Sequence, residues 1–231
     1  MKIYTYYENI KFDEQDELIN LWKKSWRDQG FEPIVLTEKD AQSVSYYETF
    51  VDEISKINKK ISGVEIHPYT LSCFTRWISY VSLKSDESIL VCDYDVINKS
   101  FQNKKFNEPS EKLSFLDGFC PCFALGNSEQ FLKFCQDIVE KSKSNLDEIK
   151  KIFFEDDYRL FHDQTFLSIC YNKLKIENNL YNICKSRKYV DFEKIYHVSH
   201  NYVQNNKDED ESLEKISSDI LRIKLVEKII S

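Results

Sequence analysis

A strand, a helix and a second strand fill the first 37 residues of this 231-residue chain, and that spacing leaves few folds open. Residues 2–7 read Lys-Ile-Tyr-Thr-Tyr-Tyr, an aromatic and β-branched run of strand type. Asp13 then caps a helix in which Leu18, Leu21, Trp22, Ser25 and Trp26 recur at helical spacing, and Gly30 stops it. Residues 32–36 form the second strand, and Thr37 starts another helical turn. Two strands joined by a helix of this length lie parallel in one sheet, which predicts the α/β class. The expected architecture is a Rossmann-like domain, a central and mostly parallel sheet flanked by helices.

The remaining pattern continues this alternation. Residues 46–61 form an amphipathic helix, and Pro68 suits the first turn of the next, which carries Leu71, Phe74, Ile78 and Val81 with Arg76 set among them. Residues 88–92, Ser-Ile-Leu-Val-Cys, are too short for a typical helix and read as a buried strand ending in Asp93-Tyr94-Asp95-Val96. Residues 98–112 are polar and read as a loop, and residues 115–125 as one strand crossing the sheet. Asn127 caps a helix to about residue 142, residues 146–154 are helix-like, and residues 154–157 make an acidic turn. A helix opening near Asp163 runs to about residue 174, and short strands follow near Asn182 and at residues 194–198. Residues 205–211 read as an acidic linker. A last helix, residues 212–230, carries a stripe of Leu213, Ile216, Ile220, Ile223, Val226 and Ile230. This divides the chain into a main domain over residues 1–204 and a linker with its terminal helix over residues 205–231.

Composition narrows the function. A net charge of −7 argues against a nucleic-acid binder. Four glycines in the whole chain leave no Gly-rich phosphate loop, and the Walker and GxGxxG patterns are absent. The seven cysteines are odd in number and several fall in apolar runs, which reads as buried thiols in a reducing, cytoplasmic setting. Cys120-Pro121-Cys122 has no second Cys or His pair at zinc spacing around it. The chain opens without a signal-peptide pattern and holds no apolar stretch of transmembrane length.

Four groups of residues can carry chemistry. Asp93 and Asp95 sit where the strand leaves the pleat, and two carboxylates so placed can converge on a hard ion such as Mg²⁺ or Mn²⁺; Asp is also an ordinary turn residue at strand ends. Arg76 lies on a helix among apolar residues, where it pairs with a structural carboxylate or faces an anionic ligand. Asp163-Gln164 stands at a helix start, where Asp is equally a routine cap. His197 and His200, two of only four histidines, lie three residues apart at the end of a late strand and are ligand types for Mn²⁺-class ions.

In this order the pieces resemble the nucleotide-sugar-dependent glycosyltransferases of the GT-A fold, with an Asp-x-Asp motif, of the glycogenin and lipopolysaccharide galactosyltransferase type. The resemblance spans residues 1–203 as a series of motifs: Thr5-Tyr6-Tyr7, Arg76, the strand into Asp93-Tyr94-Asp95-Val96, Asp163-Gln164, and residues 195–200 closing on histidine. It implies that Asp93, Asp95 and His197 or His200 hold Mn²⁺ or Mg²⁺, with Asp93 also meeting the ribose. Thr5, Tyr6, Tyr7 and Tyr94 would line the nucleotide, a UDP-sugar being the expected donor. Arg76 would approach the sugar and diphosphate, and Asp163 and Gln164 the reacting carbon. The implied acceptor class is open among glycans, lipid-linked acceptors and proteins. One departure is plain: the Gly and Lys-Pro-Trp run that usually follows the histidine is replaced by Val198-Ser199-His200-Asn201-Tyr202.

Two other functions fit part of the pattern. A haloacid dehalogenase-type phosphatase would use Asp93 as nucleophile and needs a second acidic pair, for which Asp156-Asp157 is the candidate. A non-catalytic domain of the same fold would bind a sugar nucleotide without transferring it.

Overall fold

The computed structural model describes residues 1–8, 15–102, 111–183, 194–209, 213 and 216–231. Strand β1 (Lys2–Tyr6) and strand β2 (Glu32–Leu36) pair in parallel, joined by helix α1 (Gln15–Arg27). Trp22 and Trp26, four residues apart on α1, are both fully buried, which fixes that helix to the sheet. Gly30 closes the turn after α1 with a φ of 81°, a conformation open to glycine. Asp13, the expected cap, lies outside the described residues.

Three helices lead to the next strand: α2 (Glu38–Gln42), α3 (Tyr47–Ser62) and α4 (Pro68–Val81). Thr37 starts α2 with a capping box closed by Asp40, and Pro68 occupies the first turn of α4. Strand β3 (Ile89–Cys92) then pairs in parallel with the free side of β1. The strands that follow are β4 (Val96–Asn98), β5 (Leu113–Asp117) and β6 (Cys120–Gly126). Residues 115–125, expected as one strand, are thus most of a hairpin. Gly118-Phe119 turns the chain, Gly118 adopting a φ of 63° that a side chain would oppose.

Helices α5 (Ser128–Ser144), α6 (Leu146–Glu155) and α7 (Asp163–Leu167) come next. The helix expected to reach residue 174 is α only through α7 and continues as a π-helical segment, Ser168–Lys173. Strand β7 (Tyr181–Ile183) joins the sheet beside β5, and β8 (Ile195–His197) pairs with β4 in a separate two-stranded ribbon. The expected acidic linker is corrected: residues 205–209 belong to helix α8 (His200–Glu209). Helix α9 (Ser218–Ile230) starts later than expected, with Ser217 as its cap.

Among the described residues the main sheet has the order β2-β1-β3-β6-β5-β7, in which β6 alone runs against the other five strands. The molecule is therefore α/β, with a mostly parallel, Rossmann-like central sheet flanked by helices. Alternation along the strands divides the core in two. Tyr4, Ile89, Val91, Phe115 and Ala124 face a layer built from α2 to α7. Ile3, Leu90, Cys92, Leu116, Phe123 and Leu125 face the other layer, made by α1, α9 and the β4-β8 ribbon. Covering both faces explains why the sequence at β3 reads as an unbroken apolar run. Among the described residues no helix is long and apolar enough to cross a membrane.

Candidate metal and ligand site

The chain passes from β1 to β2 through α1 on one face, then returns through α4 on the other face to β3, on the opposite side of β1. The order reverses between β1 and β3. In open α/β sheets the crevice at the carboxyl ends of such strands is where ligands bind. A cavity of about 370 Å³ lies there, and Tyr6 from the end of β1 and Asp93, Tyr94 and Asp95 from the end of β3 all line it.

A tight turn makes the two carboxylates converge. The Val96 amide donates to the Asp93 carbonyl at 3.0 Å, and the Asp93 amide donates to the Cys122 carbonyl at 2.8 Å. Beyond the turn, β4 pairs with β8 in a register that sets Val96 opposite His197, while the Val198 amide donates to the Asp95 carbonyl at 2.8 Å. His197 Nε2 therefore stands 3.5 Å from Asp95 Oδ1. Asp93, Asp95 and His197 each offer a ligand atom within 4.8 Å of the others. Asp95 Oδ1 is buried and has no hydrogen-bond partner among the described residues, the condition in which a carboxylate oxygen costs most and an ion would relieve it. The donors suit a hard divalent cation of Mn²⁺ or Mg²⁺ type.

Arg76 is the hub of the cavity floor. Its guanidinium pairs with both Asp93 and Asp163, with Nε donating to Asp163 Oδ2 at 3.0 Å. Trp77 Nε1 donates to the same oxygen at 2.7 Å, and the Gln164 amide donates to Asp163 Oδ1 at 2.8 Å. Asp163 is 2% exposed, so this carboxylate is wholly engaged in holding Arg76 and α7. Nor is it the helix cap: His162 takes that place, its Nδ1 accepting from the Thr165 amide at 3.4 Å. Gln164, by contrast, is exposed to the cavity.

Charge and burial compete here. Burial pushes the Asp93 carboxyl up, Arg76 opposes it and Asp95 adds to it, leaving the group at about 6. Burial disfavours the charged form of His197, but Asp95, Cys120 and Asp93 outweigh it and raise the imidazole to about 10. The site thus carries cations against its carboxylates. Burial also works against the charge on Arg76, and its two carboxylate partners keep the guanidinium protonated.

The structure brings together Tyr6, Arg76, Asp93, Tyr94, Asp95, Asp163, Gln164 and His197, all of which line the cavity. Thr5 and Tyr7 are placed elsewhere. Their neighbour Tyr6 points toward the cavity, and alternation along a strand turns Thr5 and Tyr7 the other way. Thr5 is fully buried, and the Tyr7 hydroxyl donates to Asp16 at 2.8 Å. The His200 side chain lies outside the described residues. Asp156 pairs with Lys173 at 2.9 Å, and neither Asp156 nor Asp157 lines the cavity, so the second acidic pair of the phosphatase scheme is not at the site.

Several lining residues have no motif around them in the sequence. Tyr69, Ser72, Cys73 and Arg76 form one stripe of α4 at i, i+3, i+4 and i+7, a spacing that could have been read once Arg76 was singled out. Arg222 reaches the cavity from α9, at 8% exposure, and its position inside Ile220-Leu221-Arg222-Ile223 was the available signal. Comparison of the chain with protein-family models, with curated proteins and with solved structures found no match, so the geometry of this cavity carries the functional reading.

Proposed function

We propose that this protein is a metal-dependent glycosyltransferase that moves a sugar from a nucleoside-diphosphate donor, a UDP-sugar in type, to an acceptor hydroxyl. The observation that carries this reading is the convergence of Asp93, Asp95 and His197 at the switch point of the sheet, in a cavity that also holds Arg76, Arg222 and Tyr6. Asp93, Asp95 and His197 would hold a divalent ion, which would supply positive charge to a diphosphate leaving group.

The chain's own residues divide the remaining work. Asp93 is tied to Arg76 and faces the ribose and ion, while the bare oxygen of Asp95 and the ring of His197 complete the ligand set. Tyr6, whose hydroxyl donates to Glu8 at 3.0 Å and accepts from Thr75 at 3.2 Å, presents a fixed ring to the base. Arg222 offers the guanidinium that takes the place of the lysine missing after His197, and its fork suits a diphosphate. Asp163 is a positioning residue that aims Arg76, and Gln164 is the polar group presented to the donor sugar. The alternative, a phosphatase using Asp93 as nucleophile, is less well supported, because Asp156 and Asp157 do not line the cavity.

A thermal-shift screen of nucleoside diphosphates with and without Mn²⁺ tests the proposal. A nucleotide at 100 times its dissociation constant stabilises by about 2.7 kcal/mol, or roughly 5–10 °C for a chain of this size. We expect a stabilisation that requires Mn²⁺, is lost in Asp95→Ala and is weakened in Arg222→Met. Stabilisation by no nucleotide, or equal stabilisation with Asp95→Ala, overturns the reading. Release of free sugar or nucleotide from a UDP-sugar then separates a transferase from a domain that only binds.

A further inference from the structure

Cys120-Pro121-Cys122 opens β6 on the wall of the cavity and has no part in the scheme above. In the sequence these thiols lack partners at zinc spacing. The fold supplies two. Asp117 stands across the hairpin turn, paired in register with Cys120, and His197 arrives from β8. Asp117, Cys120, Cys122 and His197 each offer one ligand atom, and the four atoms lie within 4.8 Å of one another. Cys122 Sγ is 3.8 Å from Asp117 Oδ2, and Cys120 Sγ is 4.0 Å from His197 Nδ1. A tetrahedral ion with bonds of 2.0–2.3 Å holds its ligand atoms roughly 3.3–3.8 Å apart, so side-chain shifts of well under about 1 Å close the shell.

We propose that these four residues bind a single borderline-soft ion, Zn²⁺ in type, in a tetrahedral thiolate site beside the Asp93-Asp95 carboxylates. Two thiolates and an imidazole select against the hard ions that suit the carboxylates. The backbone is built for it. Register shifts between Phe115 and Asp117, so that residues of β6 loop out where Pro121 has no amide to give the ladder. That bulge takes Cys122 out of register with β5 while Cys120 stays paired with Asp117, and both cysteines line the cavity wall.

The orientation of His197 supports the assignment independently. Its Nδ1 faces the Cys120 thiol and its Nε2 faces Asp95 Oδ1 at 3.5 Å. A zinc-bound histidine usually donates its other ring N–H to a carboxylate, which fixes the ring and its tautomer, and Asp95 already stands in that place. The two groups therefore draw on one imidazole through different nitrogens, and the choice is exclusive: an ion on the thiolate side leaves the Nε2 proton pointing at Asp95, so His197 serves one ion at a time.

Cobalt is the probe that tests this, used on the reduced, metal-stripped full chain. We expect one Co²⁺ per chain, with a strong thiolate-to-cobalt charge-transfer band and tetrahedral ligand-field bands, both removed by Zn²⁺. Cys120→Ser should cut the charge-transfer band by about half, one thiolate of two remaining. Asp117→Asn and His197→Gln should weaken binding with far-UV circular dichroism unchanged, which covers the case in which Cys122→Ser, at a buried position, does not fold. Asp93→Asn should leave the band in place, separating this site from the carboxylate pair. No charge-transfer band in the folded wild-type chain overturns the proposal, as does a band that survives Cys120→Ser at full strength or disappears in Asp93→Asn.

Discussion

Arg76 shows how one residue can be structural and functional together. The sequence left it between a buried ion pair and an anion-facing role, and the structure gives it two carboxylates while keeping it on the cavity floor. Removing it strands Asp93 and Asp163 without their cation in a largely buried place. We expect Arg76→Met to cost roughly 3–5 kcal/mol in urea denaturation, far more than an exposed ion pair such as Lys24–Asp28 would. Neighbouring His162 gives a pH dependence of known sign. Burial holds it below its usual 6.5, and its Nδ1 must stay unprotonated to cap α7. The unfolded chain thus takes up the proton first as pH falls, so this residue withdraws stability below about pH 6.5 until its folded value is passed. Asp93 and His197, both raised, act in the opposite direction over that range. Comparison of wild type with His162→Asn, a cap that does not titrate, isolates the effect: from about pH 7 to 5.5 the stability of wild type relative to the variant should fall by the His162 contribution, whatever the net change in either.

At the scale of elements, the strong periodic segments were legible and the irregular ones were not. The β-α-β opening, α3, α4, α5 and the strand into Asp93 follow from apolar spacing with few exceptions. The hairpin at Gly118 was hidden because an apolar run reads the same whether it crosses the sheet once or turns back within it. Residues 205–209 were read as linker from their polarity, yet Tyr202 and Val203 anchor the same helix to the core and carry its polar end along. Helix α9 shows a subtler error. The expected stripe correctly held Ile223 and Val226, which are buried, but it also included Ile220, which is 40% exposed, and missed Leu221, Leu225 and Ile229, which are buried. With apolar residues on several sides of this helix, periodicity alone could not choose the face. The contrast is measurable: Leu221→Ala should cost about 2–5 kcal/mol through the cavity it leaves, and Ile220→Ala less than about 0.5 kcal/mol.

For the whole molecule, the site was legible as a set of residue types but not as an arrangement. Asp93, Asp95, Arg76, Asp163, Gln164 and His197 could be picked out because each is an unusual residue for its surroundings. Their roles could not, since whether Asp163 caps a helix or holds Arg76 depends on α4 packing against α7 across the end of the sheet. The cysteines lay beyond reach for the same reason: their partners come from a neighbouring strand and from the β8 ribbon. That ribbon has a consequence for the order of events on the ribosome. Chains fold from the amino end as they emerge. The carboxylates on β3 and the thiols on β6 are therefore made, and their sheet can form, while β4 still has no partner strand and His197 has not been synthesised. Strand β8 and helix α9 bring in the imidazole and Arg222 after β3 and β6 have been made, so in a nascent chain the carboxylates and the thiols stay without His197 until β8 has emerged.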